Sequence, residues 1–106
     1  MVRARYTVED NKHTLCVIGH ANYDEYGKDI VCAGVSALVQ ALISCIEERY
    51  YMGECISIDS TAGEVIVSCE GGDDVAAVFY MTACGLRQIA DSYPDHVQID
   101  IIGIAD

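Results

Sequence analysis

Two side chains that can do covalent chemistry, His20 and Cys32, flank one polar loop. Cys32 lies three residues after Asp29, at the head of a long apolar run. With Asp29 as N-cap, Cys32 is the third residue of a helix, where the positive end of the macrodipole favours a thiolate. His20 follows Gly19 where an apolar alternation ends, and an imidazole within hydrogen-bond reach would take the thiol proton. The backbone N–H groups of Cys32 and Ala33, at a helix start, are candidate donors to an oxyanion. Each residue also has a plain structural reading: Cys32 as one core thiol among six cysteines, His20 as the partner of a backbone carbonyl. His13, after a turn, and His96, just beyond Pro94, are weaker candidates for the base.

The neighbours of this pair carry double readings too. Asp29 caps the helix or, as a third catalytic member, orients His20; the cap is favoured. Ser36, one turn beyond Cys32, bonds near the thiol or back to its own helix. The loop from Ala21 to Lys28 offers Tyr23 and Tyr26 as aromatic contacts and Gly27 as a hinge, a composition suited to closing over an extended peptide. It serves equally as an ordinary connection. Gly27-Lys28 is no phosphate-binding loop, because Asn22 stands where a glycine is required and Asp29 replaces Ser or Thr.

The elements that must position these groups follow from periodicity. Residues Val2 to Val8 and His13 to Gly19 alternate as strands around the polar Glu9-Asp10-Asn11-Lys12, which makes a hairpin with Leu15, Val17 and His13 on one face. A helix is expected from Ile30 to Tyr50, ending near Gly53. Cys32, Ser36, Gln40 and Ser44 form a polar stripe on it, with apolar residues around the rest, so burial on most sides and a homodimer are expected. A second hairpin pairs Cys55–Asp59 with Glu64–Cys69 through Thr61-Ala62-Gly63. Asp73 or Asp74 caps a second helix that Pro94 stops just beyond Tyr93. A last strand, His96 to Ile104, sets Val97, Ile99 and Ile101 on one face. The fold class is therefore α/β in two layers, of ββαββαβ order, with two helices on one face of a mixed sheet, and residues 1–106 form one domain.

Composition narrows the function. The 106 residues are 52% hydrophobic, enough for a core. The N-terminal residues do not read as a signal peptide. The longest uncharged run, Ile30 to Ile46, is shorter than a membrane span and contains polar residues. A cytoplasmic protein is expected, with reduced cysteines; Cys16, Cys45, Cys55 and Cys84 sit among apolar neighbours. The closest pair of cysteines, Cys45 and Cys55, is ten residues apart, so neither a zinc site nor any other metal or cofactor is expected. A net charge of −11 argues against nucleic acid and suits a basic protein partner.

Gly19-His20-Ala21, followed by Tyr26-Gly27-Lys28-Asp29-Ile30-Val31-Cys32-Ala33-Gly34-Val35-Ser36, resembles the ribosomal-processing cysteine protease family, Prp. The element order matches over essentially the whole chain. The resemblance implies a homodimeric endopeptidase of certain Gram-positive and related bacteria. It implies removal of a short N-terminal extension from large-subunit ribosomal protein twenty-seven, with a cut after an apolar, phenylalanine-containing segment. By motif position, Cys32 is then the nucleophile and His20 the general base, with Gly19, Asp29 and Ser36 at the other shared positions. The alternatives are a non-catalytic ribosome-assembly factor that binds a basic ribosomal protein, and a cysteine hydrolase acting on a small thioester or amide.

Overall fold

The computed structural model describes residues 1–25, 27–49, 56–61 and 63–103. In chain order the elements are β1 (Val2–Glu9), β2 (Lys12–Ile18), α1 (Ile30–Arg49), β3 (Ile56–Thr61), β4 (Glu64–Glu70), α2 (Asp73–Ser92) and β5 (Val97–Ile102). The expected order holds, with ends shifted by a residue or two. Tyr26, Tyr50, Gly53, Cys55, Ala62 and Ile104, which figured in the sequence reading, lie outside the described residues.

One five-stranded sheet runs β3-β4-β2-β1-β5. The two hairpins pair antiparallel, β2 joins β4 antiparallel, and β5 lies parallel to β1, so the sheet is mixed. Its register stacks the apolar alternation of each strand: Tyr6 pairs with Leu15 and Ile101, and Leu15 with Val67. Tyr6, Leu15 and Val67, with Ala4, Val17 and Val97, belong to the same buried cluster as Val31, Val35, Val39, Leu42 and Ile46 of α1 and Val75, Phe79, Ala83 and Leu86 of α2, and Ile101 packs against it. Both helices therefore cover one face. The other face keeps Arg3 and Arg5 in solvent and joins Thr14 Oγ1 to Ser68 Oγ at 3.1 Å.

The helix α1 is covered on one side by its own chain. Within this chain it buries one valine-rich stripe, while Ala33, Ser36, Ala37, Gln40, Ala41 and Ser44 are exposed, and Ile30 is 62% exposed. The outer face is built from small residues, so the helix reads as apolar all round without being buried all round. Against the sequence reading of the run Ile30 to Ile46 as too short to span a membrane, the 20-residue helix is long and apolar enough by length and composition; here its valine stripe is instead packed into the core. The helices approach closely because Gly34 and Gly85 lack side chains. A Cβ on Gly85 would lie 2.8 Å from Leu38 Cδ2, and one on Gly34 would lie 3.3 Å from Ile89 Cδ1.

Two further details correct the sequence reading. Neither Asp73 nor Asp74 caps α2: Gly72 is the N-cap without a side-chain bond, and both aspartates lie in the first turn. There they still favour the helix by charge. Cys84 is exposed on α2, whereas Cys69 is buried and Cys16, Cys32 and Cys45 are half-buried.

Candidate active site

The site forms where β2 ends and α1 begins. Gly19 closes the strand with φ +96°, and a Cβ there would run into Met1 O. Only glycine meets both demands. The Gly19 N–H donates to Gly63 O at 2.8 Å, which ties the strand end to the turn between β3 and β4. His20 leaves from this anchored point. A Cβ on Gly63 would sit 3.5 Å from His20 Nε2, so the turn walls one side of the imidazole.

Asp29 starts α1 as a true N-cap. Its Oδ1 accepts the Cys32 N–H at 2.8 Å, and Oδ2 accepts the N–H groups of Tyr23 at 2.9 Å and Asp24 at 3.4 Å. The bond from Cys32 leads the causes that hold its carboxyl below the usual aspartate range, since these donors favour the charged form. One carboxylate thus fixes both the first turn of the helix and the loop before it. The structure supports the cap reading of Asp29, because both oxygens serve backbone donors. The same bonds rule out the oxyanion donors expected from sequence. The Cys32 N–H is taken by the Asp29 side chain, and the Ala33 N–H donates to Asp29 O at 3.0 Å.

His20 and Cys32 line one cavity of about 550 Å³ together with Asn22, Asp24, Gly27, Asp29, Ala33 and Ser36. A second cavity, of about 190 Å³, shares His20, Cys32 and Ser36 and extends along Val2, Val17, Val35, Val39 and Val65. Two of the three histidines are committed elsewhere. His13 is buried, with Nδ1 2.7 Å from Tyr6 OH. Burial lowers its pKa, against a bond to the Gly71 backbone, and raises that of Tyr6 to about 12. The Tyr6 hydroxyl therefore stays protonated and donates to a neutral ring. His96 Nδ1 bonds Ala21 O at 2.9 Å.

The structure thus gathers Gly19, His20, Gly27, Asp29, Cys32 and Ser36 around these two cavities. Among the described residues Ser36 bonds neither the thiol nor a helix carbonyl, and its side chain opens on both cavities. The Tyr23 ring packs edge-on against Tyr93 and His96, with centroids 5.2 and 5.4 Å away. Tyr26 falls outside the described residues. The sequence reading named Asn22 and Gly63 but did not place either at the site. Asn22 has a positive φ of 53°, a conformation asparagine tolerates, and its place in a Gly-His-Ala-Asn exit from a strand was the available clue. No group of metal-binding side chains occurs among the described residues.

A thiol in the first turn of a helix, sharing a cavity with an imidazole, is the pairing used by cysteine peptidases. The comparisons with known proteins give the family. The model of the cysteine protease Prp family matches residues 1–98, and the chain belongs to that family. It is 33% identical over 108 residues to the ribosomal processing cysteine protease Prp of Staphylococcus aureus, covering 94% of this chain and 98% of that one. The Mycoplasma genitalium protein of the same name is 32% identical over 91 residues, covering 85% and 89%. Among solved structures, the S. aureus ribosomal processing protease Prp with a covalently linked product peptide superposes with a TM-score of 0.83 at 25% identity, covering 95% of this chain and 99% of that one. SMU.848 from Streptococcus mutans superposes with a TM-score of 0.72, also at 25% identity, covering 95% and 93%. The chain is a cysteine protease.

Proposed function

We propose that the protein removes a short N-terminal extension from large-subunit ribosomal protein twenty-seven in the cytoplasm, acting as a homodimer with Cys32 as nucleophile and His20 as general base. The observation that carries this is the shared cavity of His20 and Cys32, on the N-terminal turn of α1. The relatives' role in ribosomal processing supports the substrate, as does a net charge of −11, which attracts a basic peptide and repels nucleic acid.

In this reading His20 takes the Cys32 proton and Sγ attacks the scissile carbonyl. The tetrahedral intermediate collapses as His20 protonates the leaving amine, which departs and leaves a thioester. Water then attacks with its proton passing to His20, and the thiol is regenerated with release of the acid. Besides His20, the side-chain donors lining the larger cavity among the described residues are Asn22 and Ser36. With the Cys32 and Ala33 N–H groups engaged, these two are the oxyanion partners the reading assigns. The valine-lined second cavity suits an apolar side chain beside the cut.

The test is cleavage of a synthetic peptide spanning the extension and the first mature residues. One cut is expected. Cys32→Ala should abolish it, and His20→Ala should slow it by roughly 10²–10⁴-fold. Unchanged turnover in Cys32→Ala would exclude that thiol as nucleophile.

A further inference from the structure

The turn between α2 and β5 reaches back to the active-site loop at one residue. His96 Nδ1 lies 2.9 Å from the carbonyl oxygen of Ala21, the residue directly after His20. A carbonyl only accepts, so Nδ1 carries the proton and donates it. The backbone of His96 is held on two other sides: its N–H donates to Tyr93 O, and its C=O accepts the Val2 N–H, each at 2.9 Å. His96 thus joins the end of α2, the start of β1 and the loop. Tyr23 braces the same junction, its ring edge-on to His96 at an interplanar angle of 84° and to Tyr93 at 76°. Ala21 itself is 1% exposed, so its carbonyl has little access to water as a substitute partner.

The geometry points to His96 as a positioning residue, which fixes the peptide following His20 and so holds the imidazole at its place beside Cys32. The loop then has three tethers. Gly19 binds Gly63 on one side, the Asp29 carboxylate holds the Tyr23 and Asp24 amides from within, and His96 anchors the remaining side. Without the third, the segment from Ala21 to Tyr23 keeps its hydrogen bonds to the Asp29 carboxylate and the ring contact of Tyr23 with Tyr93, but the Ala21 carbonyl is left unanchored. A small displacement of a catalytic group costs a large factor in rate. This inference rests on the Cys32–His20 reading.

The experiment compares His96→Leu, His96→Asn and Tyr23→Leu with the unaltered chain. Two readouts need no substrate: hydrogen exchange at each amide, and the alkylation rate of Cys32 by iodoacetamide at neutral pH, followed by mass spectrometry of its peptide. His96→Leu should speed exchange of the Tyr23 and Asp24 amides and slow Cys32 alkylation by about ten- to hundredfold. Amides in the middle of α2 should keep their protection. His96→Asn places an amide N–H near the position of Nδ1 and should restore both readouts. Tyr23→Leu, which keeps the hydrogen bond, should give a smaller effect of the same sign and serves if His96→Leu fails to fold. Overturning results are unchanged loop exchange in His96→Leu, equal loss of protection throughout α2, or no recovery in His96→Asn. Alkylation of Cys32 no faster than that of exposed Cys84 in the unaltered chain would instead sink the dyad reading.

Discussion

Gly19 carries more of the site than its lack of a side chain suggests. Its positive φ and the closeness of Met1 O leave no room for Cβ, and its N–H anchors the strand end to Gly63. Gly19→Ala should cost about 1–3 kcal/mol of stability and swing His20 away from Cys32. A fall in both thermal midpoint and peptide turnover would show this; a variant with normal turnover would separate His20 from its anchor. His13 gives a second residue-scale expectation. Its pKa is lowered in the folded chain, so its contribution to stability is complete above the unfolded value of about 6.5 and is lost as pH falls from there toward the folded value. Thermal midpoints measured between pH 7 and pH 5 should decline, and His13→Asn, which cannot gain a proton, should flatten that slope.

At the scale of elements, the crossing of α1 and α2 depends on Gly85 facing Leu38. Gly85→Val overpacks this crossing and should destabilise by about 1–3 kcal/mol. Adding Leu38→Ala should recover part of the loss, because residues in contact couple; additive losses in denaturant titrations would place the strain elsewhere. These elements were largely legible in the sequence, since alternation in Val2–Glu9 and helical spacing in Val75, Phe79 and Leu86 are local signals. The cap at Asp29 was legible for the same reason, being three residues from the amide it binds. The destination of Tyr23 was not: its contacts with Tyr93 and His96 span some seventy residues, and no local pattern encodes them. The availability of the Cys32 and Ala33 amides was misread because a cap consumes the donors that a helix start would otherwise offer. The side of α1 that its own chain leaves exposed carries Ala33, Ala37 and Ala41, and alanine counts as apolar in a periodicity yet tolerates water.

The whole molecule carries 17 acidic against six basic residues, with three of the bases, Arg3, Arg5 and Lys12, on the first hairpin. Self-repulsion of this charge opposes compactness. Raising salt from about 0.01 to about 0.1 M shortens the screening length from about 30 to about 10 Å, and the thermal midpoint should rise over that range. The same change should raise KM for a lysine-rich peptide, because the long-range attraction that gathers it is screened. An insensitive KM would show that recognition is apolar.

Among the described residues, the parallel strand β5 is the element that covers the outer side of β1, and it follows the other elements in the chain. While a ribosome is still making it, the segment from Val2 to Thr7 presents bare amides and carbonyls to whatever extended chain is near. The turn holding His96 immediately precedes this strand. Sealing that rim and tying down the loop beside the thiol are therefore a single late event, so a half-made copy has neither a protected border nor an assembled peptidase.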